Sequence, residues 1–76
     1  MKAILIYIDK ECSNVITYNT GDNLEKLVLK LISKFCDVYA YKKSSNNNIH
    51  ISTKDGRMLN VKWKHIALWE KNNLFN

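Results

Sequence analysis

The chain has 76 residues, with 12 Lys and Arg against seven Asp and Glu, and its formal net charge is +5. A chain of this length predicts a single domain, residues 1–76, whose core is too small for an elaborate buried active site. Every apolar run is shorter than a membrane span, and the two cysteines form no C-x-x-C pair, so we expect a cytoplasmic protein without a membrane partner.

The first predicted elements are two strands. Lys2–Asp9 is apolar on both faces, which is typical of a strand in the middle of a sheet. A polar turn over Lys10–Asn14 follows, and the β-branched segment Val15–Tyr18 is expected to pair back on the first strand as a hairpin.

The segment Asp22–Cys36 carries the only long helical pattern in the sequence. Its apolar residues recur at the spacing of one helical face. They are Leu24, Leu27, Val28, Leu31, Ile32 and Phe35. Asp22 is the predicted N-cap, and Glu25 completes a capping box. The opposite face carries a stripe of three lysines, Lys26, Lys30 and Lys34.

Val38–Lys43 alternates as a strand, and Ser44–Asn48 reads as a loop. Two orientations of this strand fit its alternation. Either the pair Tyr39 and Tyr41 faces the helix, or the pair Val38 and Ala40 does. We favour the second, which places both tyrosines on the far side of the sheet.

Ile49–Thr53 and Met58–Lys64 are predicted to form a hairpin around Asp55-Gly56. A two-residue loop would put their apolar residues on opposite faces, whereas a three-residue loop with Gly56 in a left-handed bulge aligns them. The sequence therefore favours the bulged turn, with Trp63 extending the apolar face. His65–Lys71 fits a short strand or a helical turn equally, and residues 72–76 are expected to fray.

These elements predict an α+β fold of order ββαβββ, in which one amphipathic helix packs on an antiparallel sheet of about five strands. One helix covers only one face of such a sheet. The other face is then left to solvent or to a partner.

No motif points to catalysis or to a cofactor. Cys12, Cys36, His50 and His65 are too widely spaced for a structural zinc site, and a Cys–His nucleophile has no local signature. The chain has only two glycines, so it has no phosphate-cradling loop. A small RNase-like toxin using His50 and Arg57 is the least favoured alternative.

All of the net charge falls in the second half of the chain, because residues 1–38 sum to zero. This asymmetry predicts an acidic partner: a protein surface, a nucleoprotein complex, or DNA or RNA. The predicted partner-binding residues are Tyr39, Tyr41, Lys42, Lys43, His50, Lys62, Lys64 and Trp69. The lysine stripe on the helix is a secondary basic surface. A homodimer also fits an exposed sheet face.

The sequence favours a small non-enzymatic binding module. Its size and its Lys- and Asn-rich composition are typical of a phage or mobile-element accessory or inhibitor protein that acts on a host protein or nucleoprotein complex. The alternative is a single-stranded nucleic-acid binder that uses a basic and aromatic sheet face.

Overall fold

In a computed structural model of the protein, residues 1–70 are described. Within this range one helix and five strands follow one another in the predicted order. The strands are β1 (Lys2–Ile8), β2 (Glu11–Tyr18), β3 (Val38–Ser45), β4 (Asn48–Thr53) and β5 (Met58–Ile66), and the helix is α1 (Leu24–Ile32). A short 3₁₀ turn, Leu68–Glu70, follows β5.

The five strands form one antiparallel sheet in the order β2-β1-β5-β4-β3. The predicted α+β fold is confirmed. β1 lies between β2 and β5, and its residues Ala3 to Ile6 are all buried, as expected for a strand that is apolar on both faces.

The core lies between α1 and one face of the sheet. Val28 and Ile32 of the helix pack there with buried side chains of the strands. The strand residues of this cluster are Ile4, Ile6, Tyr18, Ile49, Ile51, Val61 and Trp63. Burial of these side chains is the main force that holds the helix on the sheet.

The helix begins one residue later than the predicted cap would place it. The N-cap is Asn23, whose side-chain Oδ1 accepts a hydrogen bond of 3.1 Å from the Lys26 backbone N–H. Asp22 instead accepts a 2.8 Å hydrogen bond from the backbone N–H of Asn19 and so closes the preceding turn. The prediction that Asp22 caps the helix is therefore wrong, because both residues suit a cap and the turn at Gly21 uses Asp22.

The helix also ends earlier than predicted, at Ile32. The backbone N–H groups of Lys34 and Phe35 donate to carbonyls three residues back, which tightens the chain into a turn. Phe35 consequently leaves the apolar face and is 69% exposed. Lys34 lies beyond the last helical residue and is not part of a helical stripe with Lys26 and Lys30.

The β1–β2 connection is shorter than the predicted turn over residues 10–14. Only Asp9 and Lys10 lie between the strands, and both have positive φ, 50° and 74°. Positive φ at both central residues is the signature of a type I′ hairpin turn, which matches the twist of the strands. Asp9 also joins the turn to β5, since its Oδ1 accepts a 2.9 Å hydrogen bond from the Asn60 N–H.

The β4–β5 turn has the predicted bulged form. Thr53 pairs with Arg57, whose carbonyl accepts a 2.9 Å bond from the Thr53 N–H. Gly56 has a φ of 89°, and its N–H donates to the Thr53 carbonyl. The register that follows places Ile49 opposite Val61 and Ile51 opposite Leu59.

A bulge at Tyr39 makes the prediction for β3 partly wrong. Val38 pairs with Thr53 and packs against the core, as expected. The next register pair is Ala40 with Ser52, so Ala40 is exposed on the far side of the sheet, and Tyr41 pairs with Ile51 on the helix side. One extra residue reverses the alternation, and a pattern of period two cannot reveal it.

At the C-terminal end, β5 continues through His65 to Ile66, and the 3₁₀ turn follows. The ambiguous segment therefore contains both the end of a strand and one helical turn. The predicted fraying of residues 72–76 lies outside the described residues.

Replacing Asn23 with Ala should lower the free energy of unfolding by about 1 kcal/mol, because the Lys26 amide loses its acceptor. Thermal melting measures this as a fall of about 4–8 °C for a domain of this size. Asn23→Asp, which keeps an acceptor oxygen, is the control and should melt near the wild type. If Asp22→Ala greatly lowered the melting temperature and Asn23→Ala did not, the assignment of Asn23 as the N-cap would be wrong.

Replacing Lys10 with Gly should stabilise the protein by about 0.5–1 kcal/mol, because relief of the left-handed backbone outweighs the added freedom of the unfolded chain. Denaturant unfolding monitored by tryptophan fluorescence measures the change. The matched control is Lys26→Gly in the helix, which should lower the free energy of unfolding by about 1 kcal/mol. Unchanged stability in Lys10→Val would show that this position is not left-handed.

Candidate binding face

The side of the sheet opposite α1 forms the candidate site, and we call it the open face. Residues that pair across strands lie on the same face of the sheet, so the open face consists of the pairs that alternate with the core pairs beneath the helix. On β1 and β5 they are Ala3, Leu5, Tyr7, Met58, Asn60, Lys62, Lys64 and Ile66, on β3 and β4 they are Ala40, Lys42, Asn48, His50 and Ser52, and on β2 they are Cys12, Val15 and Thr17.

Three lysines project from the open face, two from β5 and one from β3, and β4 lies between these strands. Lys62 lies between Tyr7 of β1 and Asn48 of β4, and Lys42 lies opposite His50. Lys64 is the third. Among the strand positions of the open face that the structure describes, none is Asp or Glu. The strand positions of the face therefore carry positive charge only, and the Asp9 carboxylate of the β1–β2 turn lies beside them, bonded to the Asn60 N–H.

Lys64 also contacts the aromatic residue of the face. Its Nζ lies 5.9 Å from the centre of the Tyr7 ring, within the range of a cation–π interaction. Tyr7 is half-buried. This contact holds the lysine over β1 and covers part of the ring.

A pair of amides lies beside the lysines. The Asn48 side-chain Nδ2 donates to Asn60 Oδ1 at 2.7 Å and is also 3.3 Å from the Val61 carbonyl. Asn48 is buried. Sequence reasoning missed it by assigning it to a loop, although the pattern Asn48-x-His50 continues the alternation of the strand.

The other half of the open face is apolar. Ala3 and Leu5 are buried at its centre, with Val15 and Ile66 half-buried beside them. The face therefore combines an apolar region over β2 and β1 with a basic region over β5, β4 and β3.

The remaining predicted site residues lie elsewhere. Tyr39 is 75% exposed in the β3 bulge, and Tyr41 is 48% exposed on the helix side. Lys43 pairs with Ile49 and so shares that side with Tyr41. Trp69, in the 3₁₀ turn, is 68% exposed. The structure thus brings together Lys42, His50, Lys62 and Lys64, but not the two tyrosines.

Lys26 and Lys30 are exposed on the outer side of the helix. They are therefore on the opposite side of the molecule from the open face. Trp63 is buried in the core beneath the helix, as its predicted register requires.

The structure does not bring together His50 and Arg57, the two residues of the RNase-like alternative. His50 points to the open face, while Arg57 lies opposite Thr53, three strand residues further along, which is about 10 Å. The Arg57 Nε forms an ion pair with Asp55 Oδ2 at 3.0 Å. Hydrogen bonds from Thr53 and from Arg57 lower the pKa of the Asp55 carboxyl. Arg57 is therefore already paired within the turn.

The cysteines and histidines are likewise dispersed. Cys12 is exposed on the edge strand β2, while Cys36 follows the helix. His65 is on the helix side, with its Nε2 3.0 Å from the Tyr18 hydroxyl. Within residues 1–70, no group of three His, Cys, Asp or Glu side chains is placed to hold a metal ion.

No helix in the described part of the chain has the length and apolar character needed to cross a membrane.

Comparisons of the chain with protein-family models, with characterised proteins and with solved structures found no significant match.

Placement of charge on the open face can be tested with two variants of equal net charge. One carries Lys42→Gln, Lys62→Gln and Lys64→Gln, and the other carries Lys26→Gln, Lys30→Gln and Lys34→Gln. A polyanion such as heparin should select the concentrated field of the open face. The first variant should therefore elute from a heparin column at clearly lower salt than the second. Elution of both at the same salt would contradict a focused basic face.

Proposed function

We propose that this protein is a non-enzymatic binding module that uses its open face to bind an acidic protein surface. The observation that carries the proposal is the set of three lysines and His50 on neighbouring strands, with no carboxylate at the described strand positions of that face. An acidic surface would complement this field, which accelerates association and excludes basic partners.

The mixture of apolar and basic regions suits a protein partner. Interfaces between proteins combine a desolvated apolar centre with a polar rim. The half-buried side chains Val15 and Ile66 supply an apolar region on this face, and Lys64 borders it. Lys62 and Lys64 are on a strand with a neighbour on each side, so their backbone needs no reordering on binding.

A single-stranded nucleic acid is less well served by this face. Such ligands need exposed aromatic rings among the lysines, on which successive bases stack. Tyr7 is half-buried with Lys64 over its ring, and Tyr41 is on the helix side. His50 is the one exposed ring at the described strand positions of this face, so the lysines would give mainly weak, salt-sensitive contacts to phosphates.

The biological role that we propose is that of an accessory or inhibitor protein of the phage or mobile-element type, which acts by occupying a site on a host protein or nucleoprotein complex. A domain of this size can mask a surface without performing chemistry. An interface of standard size buries about 800 Å² on each partner, which one face of a small sheet can supply.

The test is an affinity capture from a lysate of the host, with and without nuclease treatment, read by mass spectrometry. The wild type and the control variant Lys26→Glu/Lys30→Glu should retain the same protein at stoichiometric amounts. Lys62→Glu/Lys64→Glu should lose it, because two reversed charges on the open face repel an acidic surface.

Two outcomes would contradict the proposal. Equal capture by both variants would place the interface away from the open face. Capture that disappears on nuclease treatment, together with a salt-sensitive mobility shift of single-stranded DNA or RNA, would establish nucleic acid as the partner instead.

A further inference from the structure

The free edge of β3 is a second feature that can engage a partner. Within the described residues 1–70, β3 is the last strand of the sheet, and no other strand of this range pairs with its outer backbone groups. Tyr39 to Ser45 are all exposed. Among residues 1–70, no side chain forms a hydrogen bond with the β3 backbone, whose hydrogen-bonded neighbour is β4.

The opposite edge, β2, differs. The backbone N–H of Val15 donates to the Asn14 side chain at 2.8 Å, so one amide of this strand has a local partner. Val15, Ile16 and Thr17 are also half-buried. β3 is therefore the more accessible edge of the sheet.

The charge of the β3 edge selects what can pair with it. Lys42 and Lys43 are adjacent, and their register partners place them on opposite faces, with His50 and Ile49 respectively. The sequence from Val38 to Lys54 contains no acidic residue. An added strand would therefore meet an unpaired positive charge on each of its faces.

This pattern argues against a second copy of the chain as the occupant. An antiparallel pairing of β3 with itself, centred on Lys42 and Lys43, would bring these lysines of both copies close together, and like charges at neighbouring cross-strand positions are destabilising. Lysine on an edge strand also discourages pairing with neutral strands, since the charge would be partly desolvated. An acidic strand converts that penalty into attraction.

We propose that the β3 edge accepts an extended acidic segment of the partner protein as an added strand, with two adjacent carboxylates opposite Lys42 and Lys43. Main-chain hydrogen bonds would supply affinity, and the two carboxylates would supply selectivity. Register shifts between Val38 and Ala40 and between Lys43 and Ser45 disrupt the ladder on both sides, so the segment would pair along residues 40–43. The proposal rests on the proposed function in one respect, that the partner is an acidic protein.

The probe is a synthetic peptide of about eight residues, a common strand length, made of Thr and Val with two adjacent Glu at its centre. The control peptide has two Lys in place of the Glu pair. Titration of the labelled protein, followed by amide chemical shifts and hydrogen exchange, should show protection of β3 amides by the acidic peptide. The control peptide and the amides of β2 should show none.

Two single variants separate strand addition from docking on the open face. Lys43→Glu changes the edge on the helix side, and Lys62→Glu changes the centre of the open face. Strand addition predicts that Lys43→Glu lowers the affinity for the acidic peptide by roughly three- to tenfold. Lys62→Glu should leave this affinity nearly unchanged. Both side chains are exposed, and unchanged amide spectra elsewhere would verify folding.

Absence of β3 protection at saturating peptide, or equal peptide affinity of Lys43→Glu and the wild type, would overturn strand addition. Loss of the captured protein in Lys62→Glu/Lys64→Glu would still support the proposed function. Conversely, β3 protection with capture unaffected by those two substitutions would support strand addition and reject the open face as the interface.

Discussion

The register between β4 and β5 decides which side of the sheet every residue of the C-terminal half faces. The three-residue turn with Gly56 in the left-handed region aligns Ile49 with Val61 beneath the helix. The same alignment turns His50 and Lys62 outward. A shift of one residue would exchange these sets and bury lysine in place of isoleucine, so the core and the open face depend on one turn. The core fixes the register, and the register assembles the basic face.

Much of the fold follows from the sequence because burial and turn chemistry agree there. The helix is evident from its apolar face, and the bulged turn follows from keeping Ile51 and Leu59 together. Details settled by small energy differences could not be predicted. Asp22 and Asn23 both suit an N-cap, and the choice depends on the turn at Asn19.

The candidate site could be predicted only in part. Lys62, Lys64 and His50 follow from the β4–β5 register, whereas Tyr41 does not, since the bulge at Tyr39 leaves no signal in the alternation of β3. The Tyr7–Lys64 contact needs the pairing of β1 with β5, and no local pattern specifies which distant strands become neighbours. Sequence periodicity thus assigns faces within a hairpin, and long-range pairing assembles the complete surface.

That long-range pairing also has a kinetic meaning. β1 and β5 are the central neighbours of the sheet, yet Ala3 and Ile66, which pair across them, are near opposite ends of the described chain. Hairpins β1–β2 and β4–β5 can form from nearby residues, but their junction must close a loop of most of the chain. The closure step should set the folding rate, as in other proteins dominated by non-local strand contacts. Until it occurs, Ile4 and Ile6 lack their neighbours His65 and Trp63 on β5, and the facing edges of β1 and β5 are open to pairing between chains.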